Sequence, residues 1–341
     1  MLRVIMVGFI SLCCFSSMFF SNLALAKEAN NREFVLIGTG SMMGVYYSIG
    51  GGVCKFVVAH YGMENPGKKL ICSTSSTSGS VYNLNSIRRG AMDVGAAQSY
   101  LGYYAYTGKG LYRSTPPMKN LRLLAFLHRE YLTLIVRSDS GIKTLSDIKG
   151  KRVNIGAAGT GVRSALLSII KAKGWTSDDF LVTTDFAPSE QVQALCDGKI
   201  DVVSDFIGHP NALMQVAEAT CNATIIPFER DFIEEFLKKH PYYHQGVIPG
   251  KIYASVPGDI LTITDRACMY ATDALPESMA YLVVRSMASN LEKLREISGA
   301  LRELTLLDMV GGRSMNTADF PVPLHKGAEK FYREEGMLAA E

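Results

Sequence analysis

The chain has 341 residues, with 35 lysines and arginines against 32 aspartates and glutamates, so its net charge is +3 when the histidines are neutral. This near balance, without a basic block or interleaved basic and aromatic residues, argues against nucleic-acid binding. The length exceeds that of one ordinary domain and predicts two units of roughly 100–200 residues each.

The first 26 residues have the pattern of an export signal. Arg3 is the only charged residue before Lys27, and an apolar stretch between them ends in the small-x-small motif of Ala24–Ala26. We expect cleavage after Ala26 and a mature protein in the periplasm. The alternative is a retained membrane anchor, but the apolar core is near the lower length limit for spanning a bilayer.

The first part of the mature chain alternates strands, loops and helices. An apolar strand at Phe34–Ile37 leads through a glycine-rich loop into a helix from Val45 to His60. Further strands are expected at Leu70–Ser73 and Asp93–Ala97, with a helix between them that ends near Arg89. This repetition predicts a wound, largely parallel sheet.

The pattern restarts after a long apolar segment, and a second α/β unit follows. Its glycine-rich loop again lies between a strand and a helix, as in the first unit. The expected elements are extended Leu121–Val136, strand Arg152–Gly156, helix Val162–Lys173, strands Val182–Phe186, Val202–Phe206 and Thr224–Phe228, extended Tyr253–Val256 and Leu261–Thr264, and amphipathic helices over Leu275–Leu307.

Two similar units with two connecting crossings predict a two-lobed α/β protein that bends at a hinge. We expect the crossings near Leu127–Leu134 and Gly246–Ser255. Lobe I would then comprise residues 33–130 and 250–341, and lobe II residues 131–249. Closure of the lobes would surround a ligand that neither lobe encloses alone.

Ligands of wound sheets bind beyond the carboxyl ends of the strands. In this sequence the loops at those ends are rich in small, hydroxyl and amide residues, which bind through neutral hydrogen bonds. The predicted ligand-binding residues are Thr39, Gly40, Ser41, Tyr46, Tyr47, Ser78, Gly79, Ser80, Gln98 and Ser99 in lobe I, and Thr160, Gly161, Arg163 and Asp205 in lobe II.

Arg163 is the most consequential of these residues. It stands at the start of a helix, where the helix dipole does not favour a cation. A guanidinium there could bind a carboxylate through two hydrogen bonds. The alternative is a structural or solvent-facing arginine.

Nucleotide binding and catalysis have little support. Gly38–Gly44 has a G-x-G-x-x-x-G spacing, one residue longer than the dinucleotide fingerprint, and no Walker lysine follows it. A carboxylate-binding loop or a plain tight turn fits it better. No G-x-S-x-G motif occurs, and Ser41 and Ser80 have no recognised His and Asp partners. His209 is interpreted as a structural hydrogen-bonding residue, and Glu130 as a hinge or surface charge.

The aromatic and cysteine residues have structural interpretations. The tyrosines between Tyr100 and Tyr106 are expected to pack, and Tyr242–His244 to form a surface or inter-lobe turn. The five cysteines beyond the export signal match no zinc spacing, so an oxidising compartment predicts disulfides and one leftover thiol. No metal, cofactor or enzymatic activity is expected.

Five motifs occur in a fixed order along the chain. Together they resemble the TAXI receptors of tripartite ATP-independent periplasmic (TRAP) transporters, and the resemblance spans most of the mature chain. The motifs are Ile37–Tyr47, Ser76–Leu84, Asp93–Ser99, Gly150–Gly156 with Gly159–Arg163, and Cys196–Asp201 with Gly208–Pro210.

The resemblance implies a periplasmic receptor of the type II binding-protein fold. Such a receptor would take a glutamate- or 2-oxoglutarate-like ligand, anionic or zwitterionic, and deliver it to TRAP membrane subunits; we expect a monomer. The family pattern also supports the pairs Cys54–Cys72 and Cys196–Cys221, one for each lobe, with Cys268 free. A receptor for a membrane sensor kinase is the alternative, since it needs the same ligand-driven closure.

The sequence departs from the family pattern at three places. Ser41 stands where the family usually has glycine, Thr77–Ser80 replaces Thr-Gly-Gly-Ser, and Tyr100 stands where an aspartate commonly follows Gln-Ser. These changes predict a pocket adapted to an unusual ligand.

Overall fold

The computed structural model describes residues 32–312 and 320–338. The export signal predicted over residues 1–26 lies outside them. No helix within the described ranges is both long and apolar enough to cross a bilayer. The strands are β1 (Arg32–Gly38), β2 (Lys69–Ser75), β3 (Val94–Gln98), β4 (Leu121–Arg137), β5 (Arg152–Asn154), β6 (Val182–Thr184), β7 (Val202–Ile207), β8 (Ala223–Ile226), β9 (His244–Ile248) and β10 (Ile260–Thr272).

All these strands belong to one mixed sheet. Its order is β2-β1-β3-β10-β4-β7-β5-β6, with β8 beside β4 and β9 beside β10. At one end β1 is parallel to β2 and β3, and at the other β5 is parallel to β6 and β7. The long strands β4 and β10 lie antiparallel to each other between these ends. The two wound units predicted from the sequence are therefore two halves of a continuous sheet.

Several helices begin and end at residues with favourable capping chemistry. The Thr160 hydroxyl accepts a hydrogen bond from the backbone N–H of Arg163, and the Asn211 side chain accepts one from Met214. Asn222 ends a helix in the left-handed conformation, with φ of 51°. The α-helices are α1 (Val45–Glu64), α2 (Ser80–Arg88), α3 (Ser99–Thr107), α4 (Gly161–Ala172), α5 (Pro188–Cys196), α6 (Ala212–Cys221), α7 (Arg230–Lys239), α8 (Glu277–Ala288), α9 (Leu291–Ile297), α10 (Leu306–Met309) and α11 (Lys326–Glu334).

The two halves of the sheet share the strands β4 and β10. Leu127–Leu134, the first predicted crossing, lies within β4, whose beginning pairs with β10 and whose end also pairs with β7 and β8. The second predicted crossing, Gly246–Ser255, covers the end of β9 and the following turns, and its position stays a prediction. The strand that passes between the halves is β10. Its first residues pair with β9 in a hairpin, and its later residues pair with β3.

The lobe boundary that we predicted between residues 249 and 250 stays a prediction. The strand pairings favour a position inside β10, since Ile260–Thr264 pairs with β9 and Ala267–Tyr270 pairs with β3. The extended segment expected at Tyr253–Val256 is instead a turn, in which the N–H of Val256 donates to the carbonyl of Tyr253.

Each half has its own apolar core. Around β1, β3, α1 and α8, the side chains of Ile37, Val53 and Val283 are fully buried. Around β7, α5 and α6, the side chains of Leu195 and Met214 are equally buried. Complete burial of such a side chain contributes about 1.5–3 kcal/mol, so each cluster stabilises its own half, and a third cluster that includes Leu101 and Val153 spans both halves.

An aromatic cluster joins the two halves on one face of the sheet. Tyr100 of α3 packs on Tyr243 with ring centroids 4.7 Å apart, and Tyr104 lies 5.0 Å from Tyr242. Phe206 of β7 stacks on Tyr100 from the other half. The packing role predicted for the α3 tyrosines is confirmed, and the turn at Tyr242–Tyr243 is an inter-lobe contact because Tyr243 is buried.

Each half contains one disulfide bond, as predicted. Cys54–Cys72 joins α1 to β2, and Cys196–Cys221 joins the ends of α5 and α6, with Cα–Cα distances of 5.1 and 5.2 Å. Cys268 of β10 is buried and free. Each bond closes a short chain segment within one half and leaves the relation between the halves unconstrained.

Removal of the lobe II disulfide should destabilise the protein. The double variant Cys196→Ser/Cys221→Ser frees a 25-residue segment, and we expect the free energy of unfolding to fall by about 3 kcal/mol. The single variant Cys196→Ser breaks the same bond and should lose a similar amount. Urea denaturation measures the change, and a double variant as stable as the wild type would contradict the role of this bond.

Candidate functional site

A cavity of about 80 Å³ lies between the two halves, beyond the carboxyl ends of β1, β3 and β7. Lobe I contributes the loop before α1, the loop before α2 and the end of β3, while lobe II contributes the start of α4 and the end of β7. The structure brings together ten of the fourteen predicted residues here. They are Gly40, Ser41, Tyr46, Ser78, Gly79, Ser80, Gln98, Thr160, Gly161 and Asp205.

The two halves are in close contact over this cavity. A Cβ atom added to Gly161 would lie 1.7 Å from Oε1 of Gln98, so a larger residue than glycine does not fit against lobe I. The hydroxyl of Tyr100 donates to the Gly161 carbonyl at 2.9 Å, and the N–H of Tyr82 donates to the Gly159 carbonyl at 3.2 Å. The lobes are therefore closed on each other.

Three of the predicted residues lie outside the lining, and two of them make hydrogen bonds that support the site. The hydroxyl of Thr39 donates to the Ser75 carbonyl at 2.6 Å, which ties the ends of β1 and β2 together. The hydroxyl of Ser99 donates to the carboxylate of Asp265. Tyr47 is half-buried on α1 and is not among the cavity residues.

Arg163, the fourth predicted residue outside the lining, contacts the loop that precedes its own helix. Its guanidinium donates to the carbonyl of Gly156 at 2.8 Å, across the loop between β5 and α4. Its backbone N–H donates to the hydroxyl of Thr160. This contact of the guanidinium with its own loop agrees with the alternative that Arg163 is a structural residue. Its role in ligand binding stays a prediction.

Two carboxylates line the cavity. Glu130 of β4 is 3% exposed, which excludes the surface charge considered for it. The Tyr46 hydroxyl donates to Oε2 of Glu130 at 3.0 Å, and Nε2 of His128 lies 3.4 Å from Oε1. Asp205 accepts a hydrogen bond from the N–H of Phe206 at 2.8 Å. Within residues 32–312 and 320–338, no lysine or arginine lines the cavity.

The pKa of Asp205 is raised to about 7, chiefly by burial and then by the nearby charge of Glu130, against the lowering effect of the Phe206 hydrogen bond. Burial also raises the pKa of Asp265 to about 7, although Ser99 and the Tyr100 N–H donate to its carboxylate. The carboxylates around the cavity thus repel one another in a poorly hydrated setting.

Sequence reasoning missed much of the apolar lining. In the sequence, Phe206 and Leu213 resemble ordinary core residues. The only signal for a pocket was their position close to Asp205 and Asn211, at the end of a strand. The lining residues that were not predicted are Met43, Gly44, Val45, Glu130, Val162, Pro188, Phe206, Ile207 and Leu213.

His209 lies outside the cavity lining and makes hydrogen bonds through both ring nitrogens. Its Nε2 is 2.9 Å from the Thr133 hydroxyl, and its Nδ1 is 2.7 Å from the Tyr253 hydroxyl. Burial lowers its pKa to about 3, so the ring is neutral. These contacts agree with a structural role. No group of His, Cys, Asp and Glu in the described part of the chain could hold a metal ion.

Comparison with known proteins identifies the fold. A model of the NMT1-like family matches residues 37–336. A structure from Bordetella bronchiseptica RB50 is 14% identical, with a TM-score of 0.50 over 89% of this chain and 98% of that chain. The periplasmic aliphatic sulphonate binding protein SsuA from Escherichia coli is also 14% identical, with a TM-score of 0.45 over 90% and 94% of the chains. The structure from Bordetella bronchiseptica RB50 thus has a fold similar to the mixed α/β, two-lobed fold of this chain.

The charge of Asp205 should make stability depend on pH. Because its folded pKa lies above the value of about 3.9 in an unfolded chain, the folded state binds this proton more tightly, and the resulting loss of stability builds up as the pH rises from about 4 to about 7. Asp205→Asn removes this cost. We therefore expect the variant to melt above the wild type at pH 8, by about 2–4 °C for each kcal/mol gained, and to lose most of that advantage at pH 5.

Asp231→Asn is the matched control, because Asp231 is exposed on α7. Its melting temperature relative to the wild type should not change between pH 8 and pH 5. Calorimetric scans at both values measure the two differences. A pH-independent difference for Asp205→Asn would contradict the raised pKa.

Proposed function

Because this chain belongs to the NMT1-like family and has a two-lobed α/β fold with a cavity between its halves, we propose that it is the periplasmic solute receptor of a TRAP transporter. It is exported, captures a small solute between its lobes and delivers that solute to the membrane subunits. The ordered TAXI-like motifs, among them Ile37–Tyr47 and Asp93–Ser99, support this choice of membrane partner. The receptor acts as a monomer.

The observation that carries the proposal is a cavity with walls from both lobes. Gln98 and Ser80 belong to one lobe, Gly161 and Asp205 to the other, and all four line the same space. A ligand that contacts both walls binds the closed form more tightly than the open form, and this difference in affinity is what drives closure. Closure then presents the membrane subunits with a surface that the open receptor lacks.

The receptor binds its solute without converting it. Among the described cavity residues, the hydroxyl of Ser80 accepts the backbone N–H of Gln98, and the hydroxyl of Thr160 donates to the Ala157 carbonyl. Both hydroxyls are engaged in supporting the loops, and neither has a histidine base within hydrogen-bonding distance. Selective binding through hydroxyl, amide and carboxylate groups is the chemistry that these residues offer.

The motif resemblance favours a small ligand with a carboxylate group. Val45 of α1, and Gly161 and Val162 of α4, place the N-terminal turns of both helices on the cavity. The positive ends of helix dipoles stabilise an anionic group. A carboxylate can thus be accommodated without the guanidinium of Arg163.

The proposal predicts that ligand binding closes the lobes and leaves the ligand intact. A thermal-shift screen of small carboxylates and amino acids identifies a ligand, since binding to the native state raises the melting temperature. Solution scattering should then give a smaller radius of gyration with this ligand, which mass spectrometry should recover unmodified. A converted product would contradict a receptor role.

A glycine variant separates closure from binding to one lobe. Gly161→Ala places a methyl group against the Gln98 side chain, so we expect at least about tenfold weaker binding and little change in radius. Gly258→Ala is the matched control, because an added Cβ there meets no atom within 4 Å. Equal affinity of the wild type and Gly161→Ala would overturn closure as the basis of binding.

A further inference from the structure

Three of the side chains that line the cavity present acceptor oxygens to it. Glu130 and Asp205 each present a carboxylate, and the part of the chain that the structure describes contributes no lysine or arginine to the lining. The Thr160 hydroxyl already donates to the Ala157 carbonyl. A ligand in this space therefore meets negative charge and lone pairs.

A third acceptor is buried without a partner. Gln98 is 2% exposed, lines the cavity, and its Oε1 has no hydrogen-bond donor among the described residues. A buried carbonyl oxygen that lacks a donor costs about 1–3 kcal/mol. A ligand that donates a hydrogen bond to this atom would remove that cost, so Gln98 is independent support for a donor on the ligand.

The two carboxylates differ in how far the protein satisfies them. Glu130 receives the Tyr46 hydroxyl on one oxygen and has His128 near the other. Asp205 receives one backbone N–H, on Oδ1. Glu130 has the imidazole of His128 beside it. Within the described ranges, no lysine, arginine or histidine forms an ion pair with Asp205. Above its pKa of about 7, Asp205 is thus a carboxylate in the cavity without a counter-charge among the described residues.

An amine-free dicarboxylate fits this arrangement poorly. It would add two negative charges beside Glu130 and Asp205, and like charges at short range in a poorly hydrated site repel strongly. The one arginine among the predicted ligand residues, Arg163, donates to the Gly156 carbonyl outside the cavity. Among the described residues, the site therefore lacks the cation that would compensate such a ligand.

We infer that the solute carries a protonated amine, which Asp205, Glu130 and Gln98 accept, while any carboxylate on it faces the N-terminal turns of α1 and α4. An ammonium group has three donors and a positive charge, which matches three acceptors that include two carboxylates. Of the two ligand types implied by the motif resemblance, the inference selects the amine-bearing one and rejects the 2-oxo acid. It also admits diamines that lack a carboxylate. This inference rests on the proposed receptor function.

Matched pairs of probes test the inference. The pairs are L-glutamate against 2-oxoglutarate, L-alanine against pyruvate, and putrescine against succinate, each measured by titration calorimetry on the full mature chain. We expect at least one amine to bind, and each amine that binds to do so at least about tenfold more tightly than its amine-free partner. A 2-oxo acid or succinate that binds as tightly as its partner would overturn the inference and leave the receptor function standing. If none of the six probes binds, the inference that this cavity accepts a small protonated amine is wrong.

The acceptor residues are tested with the best amine probe. Asp205→Asn keeps the shape of the side chain, removes its charge, and should weaken amine binding at least about tenfold. Glu130→Gln should weaken it too, and its melting temperature shows whether the variant is folded. Asp231→Asn, on the exposed face of α7, should bind as the wild type does. Unchanged amine affinity in a folded Asp205→Asn variant would contradict the assignment of Asp205.

Failure of the proposed receptor function would give a different result from failure of the amine inference. In that case neither the probes above nor the wider thermal-shift screen would raise the melting temperature, and the proposed function would be lost with the inference. Binding of amine-free carboxylates alone, with a decrease in the radius of gyration, would preserve the receptor and contradict only the amine.

Discussion

The strands β4 and β10 are hydrogen-bonded to each other over Leu121–Tyr131 and Thr264–Thr272, and this pair joins the two halves of the sheet. Where the chain passes between the halves, Glu130 lies opposite Asp265 and Arg129 opposite Arg266, next to an irregularity in the register. The remaining strands attach to one half or the other. A change in the angle between the halves must therefore bend β4 and β10 near this point. Because Glu130 also lines the cavity, the hinge and the ligand site share a residue.

The electrostatic character of the site follows from the same crossing. Asp265 lies beside Glu130 on the neighbouring strand and is held by the Ser99 hydroxyl and the Tyr100 N–H. Burial raises its pKa, as it raises that of Asp205 across the cavity. Protein interiors screen such charges less than water does, so a cation bound in the cavity relieves the repulsion between them. The aromatic contact between Tyr100 and Tyr243 holds the lobes together on the side of α3 and limits where they can part.

The sequence predicts most of the loops around the site, because glycine and hydroxyl residues directly after an apolar strand are typical of loops that turn tightly or bind a ligand. The side-chain directions are harder. β4 is buried on both faces, so its sequence lacks the alternation that would place Glu130 towards the cavity. Arg163 has a local acceptor, the Gly156 carbonyl, which motif spacing does not reveal. The sequence pattern does not reveal the hairpin of β9 and β10, because two adjacent extended segments resemble a simple return of the chain. Phe206 resembles a core residue because it packs against Tyr100 on one side, yet it lines the cavity as well.

Cross-linking across the cleft tests lobe closure most directly. A Cβ added to Gly159 would lie 3.6 Å from the Cβ of Ser78, within the Cβ–Cβ distances of disulfides. The variant Ser78→Cys/Gly159→Cys should form this bond in the closed form, faster when an amine-bearing ligand is present, and should then retain the ligand through dialysis. Gly159 has a φ of +84°, so Gly159→Cys alone controls for backbone strain. Bond formation at the same rate with and without ligand, or release of the ligand from the cross-linked receptor, would contradict ligand-driven closure.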